Sequence, residues 1–145
     1  MQRIVVGVDG SSHSDAALRW ALREARAHGA ALDVVTAWHY PYTTDISGMV
    51  PMTVAGLDVA EDARKLQDKA LEDALLVEPF PGGSIEIERI VKQGGAAHVL
   101  LEAADGADLL VVGSRGRGGF TGLLLGSVSH QVASHAPCPV VVVRD

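Results

Sequence analysis

Asp108-Leu109-Leu110-Val111-Val112-Gly113-Ser114-Arg115-Gly116 starts as a run with no polar face and ends as a glycine-rich loop. A strand that is apolar on both sides is covered on both sides. This places residues 108–113 inside a parallel sheet with helices above and below. Nine residues separate Gly116 from Gly126-Ser127, where a helix is predicted over 126–135. A loop leaving a central strand and entering a helix N-terminus suits an anion. The first helical N–H groups lack intrahelical partners, and the helix dipole adds positive potential there.

The same alternation extends in both directions from this stretch. Short β-branched runs predict strands over 3–8, 32–38, 84–91 and 140–143, and apolar spacings of three and four predict helices over 14–28, 53–77 and 96–104. The expected fold class is α/β: a five-stranded, parallel, doubly wound, Rossmann-like sheet with four helices, a three-layer sandwich in one domain spanning 1–145. In the first helix Ala17, Leu18, Ala21, Leu22 and Ala25 form the inward stripe, Trp20 packs beside it, and His28-Gly29 ends it. In the second, Leu57, Ala60, Leu71, Ala74 and Leu75 are expected inward, and Pro79 to Gly83 stop the helix. Residues 39–52 form a long Pro-containing connection without periodicity. If the chain winds outward through strands two and three and then returns to set strand four beside strand one, Asp9 and Gly113 flank the crevice where the winding reverses. Open sheets bind ligands in that crevice.

Composition narrows the function. With 48% hydrophobic and 21% charged residues in 145, the chain is expected to fold on its own. A formal charge of −6 argues against sequence-independent nucleic-acid binding, which needs Lys and Arg on phosphates. From Leu109 to Arg144 there is no Asp or Glu, while Arg115, Arg117 and Arg144 all fall in that interval, so negative charge is cleared where an anion would sit. Cys138 is the one cysteine, which excludes an intramolecular disulfide. The opening residues read as a strand instead of a secretion leader, and no apolar run reaches the ~18 residues of a membrane span, so the expected location is the cytoplasm.

The candidate phosphate cradle is Gly113, Ser114, Arg115, Gly116, Arg117, Gly126, Ser127, Val128 and Ser129. Glycine permits positive φ and close approach to the main chain. The N–H groups of residues 126–129 converge on the anion, the Ser127 and Ser129 hydroxyls add donors, and Arg115 and Arg117 add mobile charge. Asp9 either accepts from a ribose hydroxyl or adenine amine, or opens an Asx turn at Gly10; the sequence leaves both open. Trp38, Tyr40 and Tyr42 either stack on a base or pack. Cys138 reads as a small hydrophobe, and the six histidines show no metal-ligand spacing.

These residues resemble the universal stress protein family across the chain. Its nucleotide-binding members carry G-x-x-G, nine residues, then G followed by Ser or Thr, matched here by Gly113, Gly116, Gly126 and Ser127. Val6-Gly7-Val8-Asp9-Gly10-Ser11 and Pro137-Cys138-Pro139 with its valines resemble the family's two ends. The resemblance implies binding of an adenine nucleotide, usually ATP with any Mg2+ held by its phosphates. It also implies Asp9 and Gly7 near base and ribose, the Ala37 backbone on adenine, and a homodimer through residues 140–143. A regulatory, stress-response module is the expected role. The alternatives are a slow ATPase or phosphotransfer enzyme, a cyclic AMP or AMP binder, and a flavoprotein; a loop without Lys argues against Walker-type catalysis. Gly113→Ala and Gly126→Ala are expected to weaken ATP binding without unfolding the domain.

Overall fold

Ile4, Val5 and Val6 are all fully buried, as are Leu110 and Val111, so neither of these strands has a solvent face. In the computed structural model, which describes residues 1–40, 58–77, 83–116 and 125–145, they belong to β1 (Arg3–Gly7) and β4 (Leu109–Gly113). The other strands are β2 (Ala31–Trp38), β3 (Ile87–Gln93) and β5 (Val140–Val143), and all pair in parallel in the order β3-β2-β1-β4-β5. The winding reverses between β1 and β4, as the sequence predicts.

Side-chain alternation splits the core into two layers. Ile4, Val6, Leu32, Val34 and Val111 face one side, where they meet α1 (Ser12–His28) and α2 (Val59–Val77). Val5, Val35, Leu110 and Val112 face the other, against α3 (Ala96–Ala103) and α4 (Ser127–His135). Each central strand contributes to both layers, which is why its sequence shows no alternation of polarity.

The helices follow their stripes with two corrections. In α1 Ala17, Leu18, Ala21, Leu22 and Ala25 are buried, Trp20 packs at the margin, and Gly29 closes the helix at φ 63°. In α2 the buried face is Ala63, Gln67, Leu71 and Ala74, whereas Leu75 is 38% exposed. One residue past Ala74 turns Leu75 about 100° away from the sheet. Gln67 escaped the sequence reading because it is polar, yet it is 0% exposed: its Nε2 donates to the Val34 and Ile90 carbonyls and to Thr36 Oγ1, joining α2 to two strands. β3 lies about two residues later than the predicted 84–91. Its register with β2 runs from Leu32↔Ile87 to Trp38↔Gln93, so pairing and not apolar alternation sets its ends. Leu57, Tyr42, Arg117 and Pro79 to Pro81 lie outside the described residues.

At the end of the sheet opposite the crevice, Arg3 binds three elements together. Its Nε meets Asp33 Oδ2 at 2.7 Å, while its other nitrogens donate to the carbonyls of Ala103 and Asp105. Asp108 Oδ2 accepts from the backbone N–H groups of Gln2 and Arg3 at 2.7 and 2.9 Å, fixing the start of β1 beside β4; these two donors hold its carboxyl below the ordinary aspartate value.

Candidate functional site

A cleft with about 540 Å³ of empty space, partly open to solvent, lies at the C-terminal ends of β1 and β4, on the α3–α4 side. Val35, Ala37, Ala96, Leu100, Val112 and Val128 make its apolar walls; Asp9, Ser14, Gly113, Arg115, Gly116 and Ser129 make its polar end. Gly7 also lines it, and a Cβ there would stand 3.0 Å from Leu100 Cδ1, so this glycine lets α3 close on the strand. Ala96, Leu100 and Ser14 escaped sequence reasoning. The two α3 residues follow Gly94-Gly95 and give no chemical signal, since only packing brings the helix over the cleft.

The first strand ends in a fixed turn. Asp9 Oδ1 accepts from Ser11 N–H at 2.9 Å, Gly10 takes φ 82°, and the Asp9 N–H donates to Ser14 Oγ. Ser11 caps α1 by accepting from Ser14 N–H. Asp9 therefore forms the Asx turn and lines the cleft as well.

The glycines act through space, not through φ: among the described residues positive φ occurs at Gly10, Gly29, Gly94 and Gly106, and not at Gly113, Gly116 or Gly126. A Cβ on Gly116 would sit 2.7 Å from Asp9 Oδ2, so the loop crosses directly over that carboxylate. A Cβ on Gly113 would sit 2.6 Å from the His13 carbonyl carbon and 2.7 Å from its oxygen. That obstacle is backbone, which corrects the expectation for Gly113→Ala: the substitution strains the contact between β4 and α1. A Cβ on Gly126 would meet Arg115 Cα at 3.3 Å.

The helix-terminal donors also need revision. Gly126 is the N-cap of α4, and its N–H is not available, since it donates to the Ser114 carbonyl at 2.7 Å. The Ser129 hydroxyl is buried, 3.0 Å from the Ser114 and Gly126 carbonyls, and its proton is used inside the protein. The N–H groups of Ser127, Val128 and Ser129 remain as first-turn donors without intrahelical partners. Ser127 is exposed and Ser114 is buried with its Oγ 3.4 Å from His13 Nδ1; neither is among the residues lining the cleft. Arg115 lines it. Trp38 and Tyr40 make an edge-to-face pair with centroids 5.2 Å apart. Cys138 packs partly buried against the α3–α4 layer, and burial, with Asp108 nearby, raises its thiol pKa. Among the described residues no three His, Cys, Asp or Glu side chains gather as metal ligands, and no helix is long and apolar enough to cross a membrane.

Fold and cleft together define a doubly wound α/β protein with a crevice where the winding reverses. The chain belongs to the universal stress protein family, whose model matches residues 1–144. It is 39% identical over 150 residues to a universal stress protein of Thermus aquaticus, with 97% of each chain covered. It is also 39% identical to one of Mycolicibacterium smegmatis, where the match takes 97% of this chain but 45% of the relative. The chain thus spans about half the length of several curated relatives. A universal stress protein solved in complex with cAMP superposes with a TM-score of 0.71 at 30% identity, covering 98% of this chain and 96% of that one.

Proposed function

We propose that the cleft binds an adenine nucleotide, ATP with Mg2+ resting on its phosphates, and that the protein is a nucleotide-dependent regulatory switch of the stress response. One observation carries this reading: an apolar slot and a set of first-turn helix amides share a single cleft at the reversal of winding. A planar base suits the Val35, Ala37 and Leu100 walls, with the Ala37 backbone at its edge. The phosphates suit the amides of Val128 and Ser129 with Arg115 beside them, and Asp9 suits a ribose hydroxyl. The lack of a Cβ at Gly116 lets the loop close down on Asp9 at the polar end of the cleft.

A homodimer through β5 belongs to the same proposal. Val140 to Val143 form an edge strand, and all four side chains are only partly buried. An apolar edge of this kind invites pairing with a second copy. The solved relative holding cAMP favours one second reading, a cyclic or mononucleotide as the physiological ligand. Mass analysis of nucleotide released from purified, undialysed protein, followed by calorimetric titration of ATP, AMP and cyclic AMP, separates the two. Failure of all three to bind would refute the adenine-nucleotide assignment.

A further inference from the structure

Arg144 closes the acid-free interval of the sequence and is not among the residues lining the cleft. Its place follows from β5, which ends at Val143. The Val143 carbonyl accepts from the Ser114 N–H at 2.8 Å, so Arg144 begins beside the loop that leaves Gly113. Val140 and Val142 pack into the α3–α4 layer, whereas Val141 and Val143 pack into the α1–α2 layer. The two-residue period assigns position 144 to the α3–α4 face, which carries the cleft, and position 145 to the α1 face. Asp145 follows this rule: after burial, its charge is one of those that raise the carboxyl pKa of Asp15, in the first turn of α1.

The surroundings of Arg144 hold positive potential without a counter-charge. The side chains of Arg3, Arg64, Lys69, Arg89 and Lys92 each meet a carboxylate at 3.1 Å or less, but among the described residues Arg144, which is exposed, makes no such pair. The start of α4 is tied to the same loop, since the Gly126 N–H donates to the Ser114 carbonyl, and its first turn carries no acid. A helix N-terminus and a guanidinium on one face favour an anion between them. Sheet order sets the direction from which it comes. The apolar slot lies over β2 and β1 at Val35, Ala37 and Gly7, and the amides of Val128 and Ser129 lie beyond the end of β4. A nucleotide with its base in the slot and its phosphates on those amides therefore runs from β2 toward β4, and the next strand in that direction is β5. Neighbouring strands are about 4.8 Å apart, a gap that an arginine side chain spans. Resting on the reading of the cleft as an adenine-nucleotide site, we propose that Arg144 binds the terminal phosphate and makes the site selective for a polyphosphate chain over AMP or cyclic AMP, whose single phosphate ends over β4.

The test is calorimetric titration of the full-length protein and of R144Q with ATP and with AMP, both in Mg2+. The wild type is expected to bind ATP at least about tenfold more tightly than AMP, and R144Q to lose that preference while its AMP affinity stays within about twofold. R144K, which keeps the charge but not the planar fork, should recover part of the preference. Added NaCl should weaken ATP binding more steeply in the wild type than in R144Q. A change in folding or dimerisation would move both nucleotides together, so the ratio isolates phosphate recognition. An R144Q protein that retains the ATP preference or weakens both ligands equally, or a wild type that binds AMP as tightly as ATP, would overturn the role of Arg144 and leave the cleft assignment standing. A wild type that binds neither would refute the cleft assignment and this inference with it.

Discussion

Among single residues, the glycines show how one motif combines two requirements. Gly116 stands over the movable end of Asp9, so Gly116→Ala should push the carboxylate aside and lower nucleotide affinity about tenfold, with little change in unfolding. Gly113 faces rigid backbone at His13. Gly113→Ala should therefore cost about 2 kcal/mol of stability by overpacking, seen as a lower urea midpoint. A Gly113→Ala protein with unchanged stability would show that α1 shifts freely. The sequence made both glycines visible as a spaced motif. It could not separate ligand access from helix packing, because both need the absence of a Cβ. Asp15 shows a similar limit. It reads as a first-turn acid suited to the helix dipole, yet its Oδ1 is buried without a partner among the described residues, and burial raises its carboxyl pKa, with Arg19 opposing and Asp73 adding to the rise. A raised folded pKa means that the native state holds the proton more tightly, so stability falls as pH rises through that value. Asp15→Asn should raise Tm at neutral pH and lose this advantage in acid, which a pair of thermal melts would check.

For the secondary-structure elements, the strands inside the sheet were legible because burial on both faces leaves a continuous apolar run, as in β4. Edge strand β3 was harder to place, since its mixed residues fit several frames and only pairing with β2 chooses one. Helix α2 had a readable stripe, but a buried Gln67 at its centre cannot be told from a surface residue until the sheet carbonyls beneath it are known. The Arg3 contacts are of the same long-range kind, joining residues about 30 and 100 positions apart. Arg3→Ala would leave the buried Asp33 carboxylate without its counter-charge. It should cost about 3 kcal/mol in chemical denaturation, while Arg3→Lys should recover part of this. Asp108 gives the opposite pH sign to Asp15. Its folded pKa is lowered, so its contribution is present at neutral pH and is lost as pH falls from the ordinary aspartate value through the folded one.

Considered as a whole molecule, the proposed dimer has a selective test. The Leu110 N–H bonds to the Pro139 carbonyl and the Ser114 N–H to the Val143 carbonyl, so alternation turns residues 141 and 143 toward β4 and Val142 toward the free edge. Val142→Pro should leave the β4 ladder intact and shift sedimentation from dimer to monomer; a monomeric wild type would end the β5 assignment. The sequence by itself determined the parallel α/β class, the strand count, the family and the neighbourhood of the cleft. Burial on both faces, helical periodicity and glycine spacing are local patterns, written in consecutive residues. Only the tertiary structure decided which donors of the loop remain available. It also brought α3 over the cleft and left Gln67 Oε1 buried without a donor among the described residues. Each of these depends on which distant groups meet, and hydrogen-bond satisfaction belongs to such pairs, not to a residue type or its place in the chain.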